Sequence, residues 1–487
     1  MSISEKDIQK LVEQVVSKVT AGEPGEASKE SCGCGCGGDT GASGQCITLE
    51  KGVFATVDEA VAAAQKAEIE FSTTSLKTRK KMIENMRKVS REHARELAEL
   101  AVEETGLGRV EDKTAKNLLA ADKTPGTEDL TSTTYTGDDG LTLVEYAPLG
   151  VVGSITPTTN PGATIINNSL SLVAAGNTVV YNPHPSAKRV SLRAMQLLND
   201  AIVEAGGPEN VLTSVAEPSI ETSGEVMNHT GIRALVVTGG GAVVKAAMST
   251  GKKVIAAGPG NPPVVVDETA NLEKAAGDIV TGASFDNNVL CTAEKEVFVV
   301  DRVAHKLKTE MTKNGAFELK GFQLDKVLKT VMVEKDGRRF PNKDFVGKDA
   351  AVILEAAGIK ADPSVRLLIC ETGADHPLVT TEMLMPIVPI VKVRDVDTAI
   401  AEAVKAEKGN RHTAVMHSQN VTNLTKMAQR IQATIFVKNG PSVSGLGYNS
   451  EGFTTLTIAG PTGEGLTSPK TFTRQRRCVL VDGLRII

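Results

Sequence analysis

Short apolar runs alternate with helix-patterned stretches from Gly150 to Lys438, and this alternation restricts the fold more than any other property of the chain. GVVGSIT (150–156) leads into the helical pattern IINNSLSLVAAG, whose Gly176 suits a C-terminal cap. TVVY, a helix from Ser186 to Ala205, VLTSV, another helix and ALVVTGG follow in turn. Strands separated by helices pair through crossovers, so the expected product is a parallel, doubly wound sheet. A second alternating set (EVFVV, RLLIC, PIVPIVKV, TAVMH, TIFVK) spans about 294–437 and predicts a second α/β domain. Upstream, helical spacing covers about 57–68 and 75–104, and TSTTYT–GDDG–LTLVEYAP reads as a hairpin turning at GDDG.

The length of 487 residues suits two or three domains, and 41% hydrophobic residues suffice for sizeable cores. A formal charge of −5 gives no basic footprint for nucleic acid. No apolar run approaches the ~18 residues of a membrane span. Glu5, Lys6 and Asp7 stand where a signal peptide would need an apolar core, so a cytoplasmic location is expected. Cys291, Cys370 and Cys478 are scattered singly, as in a reducing compartment.

Ile8, Leu11, Val12, Val15, Val16 and Val19 form one helical stripe within residues 1–20. A helix this short is marginal alone, so it either folds back on its own domain or docks elsewhere. The Gly-, Ser- and Cys-rich tract over 21–46 reads as a flexible linker and favours docking elsewhere. Cys32, Cys34 and Cys36 in CGCGCGG, with Cys46, fit a soft metal or a low-complexity tract of redox-sensitive thiols. They lack the Cys-x-x-Cys step of common zinc sites, and no metal is expected.

Four segments carry candidate chemistry. Cys291 ends the polar stretch Ser284–Asn288 and precedes the run Val297–Val300. That is a place for a nucleophile on an element end, or for an inert structural thiol. Thr238-Gly239-Gly240-Gly241 ends a strand and opens the helix AVVKAAM. It is either a plain turn or a place where backbone approaches a nucleotide phosphate. TPTTNPGAT (156–164) carries an Asn-Pro turn at Asn160. His412, in NRHTAVMHS, has a reference pKa suited to moving a thiol proton, or is structural.

The pairing of AAGPGNPPVVVDET (256–269) with SFDNNVLCTAEKEVFVV (284–300) resembles the aldehyde dehydrogenase superfamily. The resemblance implies two doubly wound α/β domains: a nucleotide-binding one over 47–265 and a catalytic one over 266–440. It adds a small β oligomerisation flap from the hairpin near 130–148 and the strand near 471–487, within the return segment 441–487. It makes Cys291 the nucleophile and Asn160, or Thr159 if the register slips, the side-chain oxyanion donor. Thr156, Pro157, Thr238, Gly239, Gly240 and Gly258 then lie beside NAD, with Glu382 on its nicotinamide ribose. An asparagine, Asn182, stands where many relatives carry a lysine on the adenosine ribose; Lys188 and Arg189 are phosphate candidates or solvated charges.

The hydrolytic branch opens its Gly-Gly segment with a glutamate that activates water. Here Ala256 or Ala257 occupies that place, which points to acyl transfer to coenzyme A. PTGEG (461–465), TFTRQRRCVL (471–480), ETGLGRVEDK (104–113), NPPVVVDETA and FVKNGPS are similar to CoA-acylating aldehyde dehydrogenases of bacterial microcompartments. That likeness implies propionaldehyde ahead of acetaldehyde as substrate, residues 1–20 docking on shell proteins in a microcompartment lumen, and a homodimer or homotetramer. The rivals are a hydrolytic enzyme using Glu294 as base, a semialdehyde dehydrogenase and a catalytically silent cargo protein.

Overall fold

A computed structural model describes residues 51–335 and 337–487. The apolar stripe of residues 1–20 and the tract holding Cys32, Cys34, Cys36 and Cys46 lie outside them. Strand β1 (Val53–Phe54) precedes helix α1 (Val57–Ser72), which starts in a capping box between Thr56 and Glu59. The helix expected over 75–104 is two helices, α2 (Leu76–Glu92) and α3 (Ala94–Thr105). His93, at φ −103° and ψ 9°, closes the first and opens the second. Helix α4 (Val110–Lys123) was not expected from the sequence, and its polar residues are unusual: Lys113, Lys116 and Asn117 are all buried.

The hairpin forms as expected, β2 (Thr133–Gly137) against β3 (Gly140–Pro148). Then β4 (Val151–Thr156), α5 (Pro161–Ala174), β5 (Thr178–Pro183), α6 (Lys188–Glu204), β6 (Leu212–Val215), α7 (Ile220–Asn228), β7 (Ala234–Thr238), α8 (Gly241–Met248) and β8 (Lys253–Ala257) build the first sheet. Its order is β1-β6-β5-β4-β7-β8, parallel throughout. Successive strands run outward from β4 one way, then from β7 the other, so the topology reverses between β4 and β7. The carboxyl ends there, Thr156 and Thr238, flank the crevice that an open α/β sheet offers a ligand.

Five residues, Gly258–Pro262, carry the chain into β9 (Pro263–Val266) of the second sheet. Because β9 pairs with β10 (Glu296–Val300) at Val264 and Val297, the chain changes sheet before residue 265, where the sequence placed the boundary. Helix α9 (Leu272–Ser284) joins these two strands. The second sheet takes in β11 (Ala316–Leu319), skips the hairpin of β12 (Met332–Lys335) and β13 (Arg338–Pro341), and continues with β14 (Leu367–Glu371), β15 (Ile387–Val393), β16 (Thr413–His417) and β17 (Ile435–Lys438). Its order, β11-β14-β15-β10-β9-β16-β17, is again parallel. So short a link brings the carboxyl edge of the first sheet against the amino ends of β9, β10 and β16. The site lies in that seam.

After the short pair β18 (Ile458–Ala459) and β19 (Gly465–Leu466), strand β20 (Thr473–Val481) returns to pair with β3. The sheet β2-β3-β20 leaves every residue of β20 after Thr473 exposed, Val479, Leu480 and Val481 included. Among the described residues no helix is long and apolar enough to cross a membrane.

Candidate active site

The residues just before Cys291 adopt a conformation the sequence alone did not announce. Asp286, Asn287 and Asn288 have φ of 48°, 53° and 66°, a left-handed turn of three consecutive non-glycine residues. Asp and Asn tolerate this region better than most side chains, and each here is pinned by its own hydrogen bonds. The Asp286 carboxylate accepts from the Arg109 N–H at 2.8 Å and from the Lys113 and Lys116 ammoniums. Asn287 donates to the Gly347 carbonyl and to Asp349, both at 3.0 Å. Asn288 donates to the Ala283 and Glu294 carbonyls. Gly108, at φ +74°, has no room for a side chain: a Cβ would lie 2.0 Å from Asp286 Oδ1. The turn is thus a rigid platform, and it delivers Cys291 partly exposed at the seam.

Around the thiol the charges oppose one another. Burial pushes the Cys291 thiol up to about 12 and the Glu382 carboxylate adds to this, while Lys295 and Lys116 pull it down. Lys295, itself buried, directs its ammonium to the Asn288 and Leu290 carbonyls and the Asn288 amide oxygen, at 2.6–3.0 Å. It is a fixed cation beneath the nucleophile. The sequence reading overlooked it because a lysine in AEKEVFVV looks like an ordinary strand-edge charge.

Of the expected site residues, the structure brings Cys291, His412 and Glu382 together around Gly260. A Cβ on Gly260 would lie 2.7 Å from the Cys291 carbonyl oxygen and 3.0 Å from the His412 ring. The Gly260 N–H reaches Glu382 Oε1 at 3.4 Å. His412 is buried, with Nδ1 2.9 Å from Thr413 Oγ1 and Nε2 without a partner. Burial and Lys295 hold it down at about 4, so it stays a neutral imidazole near pH 7. Asn160 caps α5; its amide nitrogen donates to Thr159 Oγ1 at 3.1 Å, which leaves its second proton free. Thr159 itself offers the site a carbonyl that Lys113 holds at 3.0 Å, so Asn160 is the better donor of the two candidates.

The crevice between β4 and β7 suits a nucleotide. Thr156 Oγ1 is buried without a partner, and Pro157 follows it out of the strand. At Gly240 and Gly241 a Cβ would meet nothing within 4 Å, so backbone faces open space at the start of α8. Thr238 meets Thr457 at 3.0 Å. Gly258 is different: a Cβ there would lie 2.9 Å from Pro461, so its lack of a side chain serves packing of the 461–465 segment. Asn182 is occupied by α7, donating to the Ser219 carbonyl and accepting from Thr222. Lys188 pairs with Glu217 and Arg189 with Glu103 in exposed ion pairs.

Glu294 is tied to Ser442. One carboxylate oxygen takes the Ser442 N–H and the other its hydroxyl, both at 2.7 Å, in a fully buried pocket. Burial pushes it up to about 7, and its role is to clamp the 442–446 turn. On β8, Ile255 packs in the same apolar cluster as α5, while Ala256 packs in the cluster with Val244 and Ala247 of α8. Strand alternation therefore turns Ala257 to the face of α5, whose cap is Asn160. Position 257 thus shares the face of Ile255 on β8, and it carries a methyl group.

A model of the aldehyde dehydrogenase family matches residues 43–453, and the chain belongs to that family. Within it, the acetaldehyde dehydrogenase (acetylating) of Salmonella typhimurium is 53% identical over 441 residues, covering 90% of this chain and 94% of its own. The crystal structure of Rhodopseudomonas palustris propionaldehyde dehydrogenase, with bound CoA and an acylated cysteine, superposes with a TM-score of 0.88 at 50% identity, covering 90% of this chain and all of that one. A propionaldehyde dehydrogenase from the fucose utilisation microcompartment of Clostridium phytofermentans gives 0.88 at 47% identity, with 90% and 100% coverage.

Proposed function

We propose that this CoA-acylating aldehyde dehydrogenase oxidises an aldehyde of two or three carbons with NAD and passes the acyl group from Cys291 to coenzyme A. The observation that carries the choice of acceptor is that β8 ends in Ala256 and Ala257, with no carboxylate at either position, while Glu294 is held by Ser442. Thr156, Thr238, Gly239, Gly240 and Glu382 hold the cofactor, which when bound takes up the hydride. The Cys291 thiol gives up its proton to solvent, with Lys295 favouring the thiolate, and its sulfur adds to the aldehyde carbon; the proton that His412 later takes from CoA returns to the departing Cys291 sulfur. The free Asn160 amide proton and the Cys291 N–H stabilise the oxyanion. As hydride leaves, the oxyanion collapses to a thioester on Cys291. Neutral His412 receives the proton of the CoA thiol, whose sulfur then displaces Cys291. The balance is aldehyde, NAD and CoA to acyl-CoA, NADH and a proton.

A small, mostly apolar cavity lined by Phe285, Leu290, Val443, Leu446, Tyr448, Leu456 and Leu119, with Lys116 at its wall, is our candidate for the acyl chain, since Leu290 adjoins Cys291. Its free space admits about one water-sized group, which supports short aldehydes, propionaldehyde ahead of acetaldehyde. Butyraldehyde and valeraldehyde should lose at least about tenfold in kcat/KM, within the range one methylene commands. Val443→Ala should raise butyraldehyde relative to propionaldehyde in steady-state assays. An unchanged ratio would place the acyl chain elsewhere.

The apolar stripe of residues 1–20 is the segment we assign to docking on microcompartment shell proteins. Deleting 1–20 should leave turnover unchanged and abolish activity in purified shells; equal shell-associated activity would show that the address lies elsewhere. The exposed sheet β2-β3-β20, with Tyr135, Val479 and Val481 bare, joins copies of the chain into a dimer or tetramer.

A further inference from the structure

Two lysines of α4 are buried where a helix face would ordinarily carry its charges into water. Lys113 and Lys116 stand three residues apart, so they share a face, and both reach Asp286 Oδ2. Asp286 belongs to the left-handed turn that presents Cys291. The same two ammoniums also touch consecutive residues opening α5: Lys113 reaches the Thr159 carbonyl at 3.0 Å, and Lys116 reaches Asn160 Oδ1. A second tie joins the turn to α4, the Asp286 N–H donating to Asp112 at 2.9 Å. One helix of the first domain therefore binds the nucleophile's platform and the oxyanion residue at once.

The contact with Asn160 has a chemical direction. A lysine ammonium only donates, so the amide atom it touches must be the oxygen, and the amide nitrogen is forced to the other side. A cation on the carbonyl end also polarises the amide and makes its N–H a stronger donor. We propose that Lys116 is a positioning residue for the oxidation step, fixing the Asn160 amide with its nitrogen toward the developing oxyanion while Asp286 and Lys113 hold the Cys291 turn in register with it. This rests on Asn160 being the oxyanion donor. Loss of Lys116 should slow hydride transfer and leave substrate binding alone, because the interaction matters in the transition state.

The test is the rate of the NADH burst on rapid mixing with aldehyde for Lys116→Met, Asn160→Ala and the double variant, alongside KM values, NAD affinity and melting temperature. Asn160→Ala should slow the burst by about 10²–10³-fold, the usual loss for one oxyanion donor. Lys116→Met should slow it by about tenfold or more, with KM and NAD affinity kept. The double variant should fall within about twofold of Asn160→Ala, because Lys116 then has no amide to orient. Additive losses, or a normal burst in folded Lys116→Met, would overturn the proposal while leaving the oxyanion reading intact. A normal burst in Asn160→Ala would remove the oxyanion reading itself. Lys116→Gln keeps an N–H donor, one bond shorter, and carries the same cycle if the Met variant does not fold. It should lose less than Met and be equally non-additive.

Discussion

Cys291→Ala should abolish acyl-CoA formation, a loss on the order of 10⁴-fold or more, as when a covalent catalyst loses its nucleophile. The expectation rests on place. Cys291 is the partly exposed thiol at the seam, on a turn pinned by Asp286, Asn287 and Asn288, with Lys295 beneath it. Cys370 is buried within β14, and Cys478 is exposed on β20. Their alanine variants should keep turnover. The Cys291 variant should keep its fold and its NAD affinity, since its side chain ties no elements together; circular dichroism and a cofactor titration check this. Substantial turnover in the purified variant would remove Cys291 from the mechanism.

Without coenzyme A, aldehyde and NAD should give about one NADH per active site and then stall. Ala257 offers no base to water, so the thioester persists. Ala257→Glu should restore slow steady hydrolysis to the free acid, and Ala256→Glu should not, because its side chain enters the apolar cluster with Val244 and Ala247. His412→Ala should leave the burst and slow the transfer that follows. With His412 held down at about 4, its protonation should not limit transfer near the reference value of about 6.5; the loss should come as pH falls toward about 4. Steady hydrolysis by the unmodified enzyme at the CoA-dependent rate would contradict all of this.

Much of the fold was legible because its strands are buried on both faces. Runs such as EVFVV and PIVPIVKV are continuous apolar segments with β-branched residues, the signature of a parallel sheet under helices. The hairpin was legible from its turn. The break at His93 was not: helical spacing continues through it, and the residue that ends α2 also begins α3. Helix α4 was missed because EDKTAKN reads as a solvated face; nothing local says that Lys113 and Lys116 have a carboxylate 170 residues away.

The site was legible to the extent that chemistry requires a residue type. Cys291, His412 and Glu382 gather around Gly260, and Asn160 opens α5 where Lys116 reaches it. What escaped was the support around them. Lys116, Lys295 and the left-handed turn act through long-range contacts, and an Asp-Asn-Asn sequence adopts that turn only when its side chains find partners. The chain also gave no means to see that Asn182 was already occupied by α7, or that Glu294 served Ser442.

The central claim, acyl transfer through Cys291 to coenzyme A, is tested most directly by the intact mass of the protein. After mixing with propionaldehyde and NAD alone, the protein should gain one propionyl group, mapped to the peptide carrying Cys291. On addition of coenzyme A that mass should vanish as one propionyl-CoA per active site appears. An unmodified mass during turnover, an adduct on another residue, or an adduct discharged by water as fast as by coenzyme A would contradict the account.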